Sequence, residues 1–482
     1  MTVITDDARY AALAARDRRF DGVFFVGVTT TGIYCRPICP VRVPGRARCE
    51  FYTSAALAER AGFRACFRCR PEVAPGAPTT PVDAVDALAA AATRRIAEGA
   101  LNERSIDELA AELGVTARHV RRATETRLGV SPVELAQSAR LALAKQLLHD
   151  TALPITEIAF ASGFSSVRRF NAVFAQRIGK SPSRARPIAD VGDRVALRLD
   201  YRPPYDWTRL LGFLRGRAIP GVEVVGDDVY RRVVHIAGST GELEVRPAPN
   251  RSALLLAVTP ELMPVLMPLR ARVRRMFDLD AHPDAIARVL RRDRTIGKAV
   301  AARPGLRLPG AIDPFEAAVR AMLGQQVSVA AARTLAGRFA AQFGKRYAGS
   351  EPALSHRFPT AAEVHAVGWQ RIVKIGMPAK RAVALHGLAG AVANGQLGLN
   401  TARPLDEFVA EATQLAGVGP WTAHYLAMRA LHDPDAFPAA DLGVKKALRG
   451  ASPRAAEARA EAWRPFRSYA VIHLWTALSE GD

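Results

Sequence analysis

Leu415-Ala416-Gly417-Val418-Gly419-Pro420-Trp421-Thr422-Ala423 is the stretch on which the reading of this 482-residue chain turns. A Gly-hydrophobic-Gly turn between two helical patterns leaves backbone N–H groups facing outward at a helix N-terminus, an arrangement that holds a phosphate without reading bases. Most Gly-x-Gly stretches are simple turns, so the turn by itself says little. Its weight comes from Asp441 in FPAADLGVKK (437–446), 22 residues past Gly419. A hairpin, a Gly/Pro-rich loop and a carboxylate then follow one another. Gly417, Gly419 and Thr422 become candidate contacts to a DNA backbone, and Asp441 a candidate catalytic group.

Outward from this stretch, PFEAAVRAMLGQQVSVAAARTLAGRFAAQFG (314–344) has helical spacing with a break expected around Gly324 to Val327. Further upstream the pattern changes to alternation. Val195 to Tyr201, Arg231 to Ile236, Glu242 to Val245 and Ser252 to Val258 read as strands of an antiparallel sheet, with helices near Trp207 to Arg215 and Leu262 to Phe277. Four segments, YRPPYDWTRLLGFLRGRA (201–218), RPGLRLPGAIDPFEAAVRAMLGQQVS (303–328), GVGPWTAHYLAMRA (417–430) and WRPFRSYAVIHLW (463–475), resemble the AlkA-type 3-methyladenine DNA glycosylases II, a helix-hairpin-helix family. The resemblance spans nearly all of residues 195–482. It implies that Asp441 is the catalytic carboxylate and that Phe213, Trp421, Tyr425 and Trp475 line a base pocket.

Those residue types suit the implied chemistry. A base inside a duplex must be flipped out to be reached. An alkylated purine such as 3-methyladenine is cationic and is attracted to aromatic faces by roughly 0.5–2 kcal/mol per contact. It is already a good leaving group, so Asp441 need only stabilise the oxocarbenium-like sugar and assist water. Strand-cutting relatives carry a hairpin lysine for Schiff-base formation. Trp421 stands at that position, and no cysteine follows Cys69 to hold an iron–sulfur cluster, so a monofunctional hydrolase is expected. Gln326 lies in the loop that supplies a wedge residue, where a well-known relative has leucine. His424 reads as structural.

Residues 76–187 repeat a helical pattern. Ile106, Leu109, Ala110 and Leu113, then Gly114 and the capping candidate Thr116, recur as Ile155, Ile158, Ala159 and Ser162, then Gly163 and the capping candidate Ser165. Each copy ends alike, at Gly129-Val130-Ser131-Pro132 and Gly179-Lys180-Ser181-Pro182, as two helix-turn-helix units would. Arg118, His119, Arg121 and Arg122 in the first copy, and Arg168, Arg169 and Asn171 in the second, make each second helix basic. Arg and Asn are the types that read guanine and adenine edges; a solvated basic face of a plain bundle is the alternative, and His119 is a surface contact. ITEIAFASGFSSVRRFNAVFAQRIGKSPSRAR (155–186) resembles the AraC/XylS transcription-factor signature, which implies Phe164, Phe170 and Phe174 as core.

All five cysteines fall in the first 69 residues. Cys35 and Cys39, then Cys66 and Cys69 after 26 intervening residues, have the spacing of a four-thiolate zinc site. Cys49 reads as an ordinary buried thiol. TTGIYCRPIC (30–39) and FYTSAALAERAGFRACFRCRP (51–71) resemble the N-terminal domain of the Ada adaptive-response proteins, which implies that Cys35 irreversibly accepts a methyl group from a DNA methylphosphotriester. Zinc keeps a thiolate deprotonated at neutral pH. Four thiolates on a dication carry a formal −2, and methylation reduces this to −1, so DNA binding should tighten afterwards. Arg64, Arg68 and Arg70 surround the second pair and are candidate phosphate contacts. With no cysteine beyond Cys69, the chain lacks the second methyltransferase of complete Ada proteins.

Composition fits this picture. Lys and Arg number 67 against 46 Asp and Glu, a net charge of +21, which suits a polyanionic partner. The longest apolar run, Leu254 to Leu269, is broken by Pro260, Glu261, Pro264 and Pro268, so no membrane span is expected, and the acidic start MTVITDDARY points to the cytoplasm. The expected fold is multidomain α+β: a small zinc-bound α/β domain (1–75), an all-α double helix-turn-helix domain (76–187), an antiparallel sheet with helices (188–300) and an all-α helix-hairpin-helix glycosylase domain (301–482), with PEVAPGAPTTP (71–81) as a linker. Expected partners are alkylated and promoter double-stranded DNA and RNA polymerase, with the chain a monomer. The competing reading is a transcription factor with structural zinc and a non-catalytic, damage-sensing glycosylase-like domain.

Overall fold

The computed structural model describes residues 4–76, 84–186, 195–399 and 404–480. The expected linker end at 77–81 and the expected boundary at 187/188 lie outside them. The chain divides into two compact units, Met1–Pro203 with Ala248–Ala271 and Leu279–Ala281, and Pro204–Pro247 with Arg272–Asp278 and His282–Asp482.

The first unit opens with a four-stranded sheet: β1 (Phe25–Val28), β2 (Ile33–Cys35), β3 (Cys49–Tyr52) and β4 (Arg64–Ala65), in the order β3-β1-β2-β4. The β1 ladders are antiparallel and β2–β4 is parallel, pairing Ile33 with Arg64 and Tyr34 with Ala65. Alternation sends Phe24 and Val26 to a core with Leu13 and Cys49, and Phe25 and Tyr34 to a second core with Ala58 and Phe63. Gly27 sits where a Cβ would come within 2.8 Å of Phe63 and 2.9 Å of Tyr52, so only glycine lets those rings close over the strand.

The helical repeat forms as the spacing predicts: Ile106–Glu112 with Ala117–Leu128, then Ile155–Ala161 with Val167–Ile178, joined by the long helix Pro132–Asp150. Gly129 and Gly179 end the second helix of each pair in the left-handed region, at φ 71° and 78°. Thr116 caps as expected, its hydroxyl accepting from the His119 N–H at 3.4 Å. The second cap is Ser166, one residue later than expected, because its oxygen meets the Arg169 N–H at 3.2 Å, the third residue of the helix. Phe164, Phe170 and Phe174 are buried and in ring contact.

In the same unit β5 (Val195–Asp200) pairs antiparallel with β9 (Ala253–Val258), and β5 lies against the long helix, where the Gln146 amide donates to the Arg198 carbonyl at 2.7 Å. The second unit contains the antiparallel meander β6 (Glu223–Val225), β7 (Tyr230–Ile236) and β8 (Ser239–Pro247). β6 is too short for alternation to reveal. The helix expected over Leu262 to Phe277 begins at Leu266, after a 3₁₀ stretch Pro260–Val265, because Pro264 has no N–H for an α-helical bond. Two further helices, Pro283–Leu290 and Gly297–Ala302, complete this region. Helices dominate from Pro314 onward, with the expected break between Pro314–Leu323 and Val329–Phe343. Among the described residues no helix is long and apolar enough to cross a membrane.

Candidate active site, metal centre and DNA-facing helices

The hairpin helices are Leu405–Ala412 and Pro420–Arg429. Gly417 holds φ +81°, and a Cβ there would meet Ala384 at 2.5 Å, so both conformation and close approach require glycine. Gly419 starts the second helix with no side-chain cap. The Thr422 side chain is buried and its hydroxyl accepts from Gln325 at 3.0 Å; it faces inward, so at this position only the backbone N–H remains a candidate phosphate donor.

Asp441 is the N-cap of the short helix Leu442–Ala447, and three N–H groups converge on it. Oδ1 accepts from the Val444 backbone at 3.0 Å and from the Trp475 indole at 2.8 Å, and Oδ2 accepts from the Trp421 indole at 3.0 Å. The two tryptophans thus do more than offer ring faces: they fix the orientation of the carboxylate. Trp421 stacks on Tyr425 with centroids 5.4 Å apart, Tyr425 lies 6.4 Å from Trp475, and Phe213 lies parallel to Trp475 at 6.5 Å and 10°. All four rings and Asp441 are half-buried, so the set forms an open wall beside the carboxylate. Gly443, which the spacing of motifs does not mark, is what lets Trp475 approach. A Cβ there would lie 2.7 Å from Trp475 Cδ1 and 3.0 Å from Asp441 Oδ1.

Two arginines are also present that sequence reading passed over. The Arg217 guanidinium lies 3.8 Å from the Phe213 centroid; that of Arg429 lies 4.8 Å from Phe213 and 6.0 Å from Tyr425. Phe213 therefore already engages two cations. The signal was available: Arg217 is four residues after Phe213, and Arg429 four after Tyr425, one helical turn in each case. His424 is structural as expected, its Nδ1 accepting from the Phe437 N–H at 3.3 Å, while burial pulls its pKa down. Gln326 is exposed in the left-handed region at φ +56°. Its neighbour Gln325 donates to the Gly417 carbonyl at 3.0 Å, tying this turn to the hairpin.

In the first unit the Sγ atoms of Cys35, Cys39, Cys66 and Cys69 all lie within 4.8 Å of one another and are buried. Tetrahedral zinc with bonds of about 2.3 Å separates its sulfurs by about 3.8 Å, so the four residues fit the ion. Without a cation, hydrogen bonding to Cys39 pushes the Cys35 thiol up and hydrogen bonding to Cys35 pushes Cys69 up. A dication removes that conflict. Loop carbonyls and backbone are held by buried cations: Arg36 Nη1 donates to the Cys69 carbonyl at 3.1 Å and pairs with Asp21 and Asp200, and Lys145 of the long helix donates to the Cys66 carbonyl at 2.9 Å. Cys49 stands apart in the hydrophobic core, as expected. Arg64 and Arg68 are exposed, whereas Arg70 is not free for phosphate: it pairs with Glu72 at 3.0 Å and Asp150 at 2.6 Å. Arg118, Arg121, Arg122, Arg168, Arg169, Asn171 and His119 are all exposed on the second helix of each pair.

A hairpin with a downstream carboxylate held by two indoles defines a base-excision type of domain, joined here to a four-cysteine metal lobe and tandem helix-turn-helix units. Family models agree: the metal binding domain of Ada matches residues 8–72, a helix-turn-helix domain 109–187, the AlkA N-terminal domain 196–313, and the HhH-GPD superfamily base excision DNA repair protein 319–467. The chain is 39% identical over 481 residues to the probable bifunctional transcriptional activator/DNA repair enzyme AlkA of Mycobacterium tuberculosis, covering 97% of this chain and 96% of that one. It belongs to this family of AlkA-type repair proteins fused to an Ada metal-binding domain and a helix-turn-helix domain. It is also 37% identical over 277 residues to DNA-3-methyladenine glycosylase 2 of Escherichia coli, covering 58% of this chain and 95% of that one. The fold of 3-methyladenine DNA-glycosylase from Archaeoglobus fulgidus covers 58% of this chain and 97% of that one, with a TM-score of 0.51 at 21% identity.

Proposed function

We propose that the second unit hydrolyses the N-glycosidic bond of alkylated bases of the 3-methyladenine type in DNA, and that the first couples methyl capture at Cys35 to promoter binding by the helix-turn-helix units. The observation that carries the excision reading is Asp441, oriented by Trp421 and Trp475 beside Tyr425. A carboxylate held by three N–H donors needs no rearrangement to face a developing sugar cation. The C1′–N bond breaks with its electron pair passing to the base, Asp441 stabilises the sugar, and a water oxygen bonds to C1′. No lysine is placed to form a Schiff base, so strand cleavage is not expected. Exposed Gln326 is the residue offered to the gap left by the flipped nucleotide, and the helix start at Gly419 is offered to a backbone phosphate.

In the first unit, zinc held by Cys35, Cys39, Cys66 and Cys69 would keep the sulfurs as thiolates. Cys35 Sγ then takes the methyl carbon of a phosphotriester: an S–C bond forms, the C–O bond breaks and its electron pair stays on the phosphate. Arg64 and Arg68 are exposed to meet the backbone; Arg118, Arg121, Arg122, Arg168, Arg169 and Asn171 are placed to enter the major groove. RNA polymerase would be the further partner of an activator.

Two measurements test the proposal. Purified protein should release 3-methyladenine from alkylated DNA and Asp441→Asn should not; equal release by both sinks the mechanism. Methylphosphotriester DNA should add one methyl mass to the peptide containing Cys35; methylation on Cys49 alone, or on no cysteine, overturns the methyl-acceptor assignment.

A further inference from the structure

The inner side of the aromatic wall carries more positive charge than the excision of a cationic base calls for. Arg232 and Arg320 are balanced there by Glu223 and Glu316, with contacts of 2.5 Å from Arg232 to Glu316 and 2.9 Å from Arg320 to Glu223. Arg217 and Arg429 are not balanced in this way. Arg217 donates to the Phe213 carbonyl at 3.4 Å. Arg429 is 8% exposed, donates through Nη2 to the Gly310 carbonyl at 3.3 Å, and leaves Nε and Nη1 without a hydrogen-bond partner. Both line one cavity with Gly310 and Tyr425. Burial pulls both guanidiniums down, Arg429 to about 10, so the site meets them as cations held at a cost.

Such a pair works against a base that arrives positive and in favour of one that departs negative. A cationic purine is neutralised as it leaves, so nearby cations only raise the energy of its bound form. For an uncharged base the electron pair of the broken C1′–N bond makes the leaving base an anion, its charge spread onto any keto oxygen, until it takes up a proton. Asp441 does nothing for that charge. Buried guanidiniums with unused N–H groups do. One unit charge about 8 Å from the base, at an effective dielectric constant of about 20, changes the rate by about 30-fold.

We propose that Arg217 and Arg429 extend the substrate class to uncharged, keto-bearing bases of the 6-oxopurine kind by stabilising the anionic leaving base. The inference rests on the excision reading above and adds its second substrate class. The test compares two duplexes under single-turnover conditions with the full chain, one containing deoxyinosine and one containing 3-methyladenine. Wild type should release both bases. In Arg429→Met the ratio of the inosine rate to the 3-methyladenine rate should fall about 30-fold, and Arg217→Met should lower it in the same direction. Arg429→Lys, which keeps the charge, should recover most of the ratio. An unchanged ratio in both Met variants, with the two rates falling together, shows a merely structural role and overturns the proposal, as does a wild type that releases 3-methyladenine but no hypoxanthine. Release of neither base by wild type would instead refute the excision reading itself, and this inference with it.

Discussion

Gly443→Ala is the sharpest perturbation of the carboxylate's support. The added Cβ would sit 2.7 Å from Trp475 Cδ1, 2.9 Å from its Nε1 and 3.0 Å from Asp441 Oδ1. Carbon atoms in contact prefer about 3.5–4.0 Å, so the indole must retreat by about 0.8–1 Å. The Trp475 Nε1 to Asp441 Oδ1 bond, now 2.8 Å, would then exceed hydrogen-bonding length. Stability should change little: overpacking costs about 1–3 kcal/mol, but alanine in a helix gains about 0.5–1 kcal/mol over glycine. Catalysis should suffer more, because a misplacement of about 1 Å near the reacting atoms costs about 100-fold. Single-turnover release of 3-methyladenine, run beside thermal unfolding, separates the two effects. A variant that melts near wild type and releases base about 100-fold more slowly is expected. Release within about threefold of wild type would refute the claim that Trp475 orients Asp441.

Two further predictions concern stability. Ser166→Ala should destabilise the second helix-turn-helix unit by about 1 kcal/mol, while Ser165→Ala should be near neutral, since only Ser166 bonds the helix N-terminus; denaturant unfolding of the two variants checks this. Burial, aided by Arg303, pulls His473 from an ordinary 6.5 down to about 4. Between those values the unfolded chain binds the proton and the folded chain does not, so this contribution is complete above about pH 6.5. It is lost on acidification, by about 3 kcal/mol at pH 4. His473→Gln should flatten that part of the stability profile, measured by unfolding between pH 7 and pH 4; an equally steep profile would show that other groups carry the slope.

Local signals were legible wherever the chemistry depends on spacing along the chain. The two cysteine pairs, the repeated helix pattern with its Gly and Ser-Pro ends, and the hairpin with Asp441 were all readable because each is built from residues close in sequence. The cap at Ser166 rather than Ser165 and the late helix start at Leu266 were not, since they depend on single hydrogen bonds that neighbouring candidates could equally make. Arg70 and Thr422 looked like surface contacts by type. Arg70 instead answers Asp150, 80 residues away, and Thr422 answers Gln325, 97 residues away.

By itself, then, the sequence determined the number and kind of functional parts: a metal lobe whose cysteines end at residue 69, a tandem DNA-reading module, and a hairpin domain with its carboxylate. Tertiary structure alone decided how those residues act on one another. It turned Trp421 and Trp475 into donors for Asp441, made Gly443 indispensable to their approach, and left Arg217 and Arg429 as unbalanced cations behind the rings. The physical reason is that hydrogen-bond direction and charge balance are set by groups brought together across 20, 34 and 119 residues of chain, and spacing along a sequence does not encode the angle at which they meet.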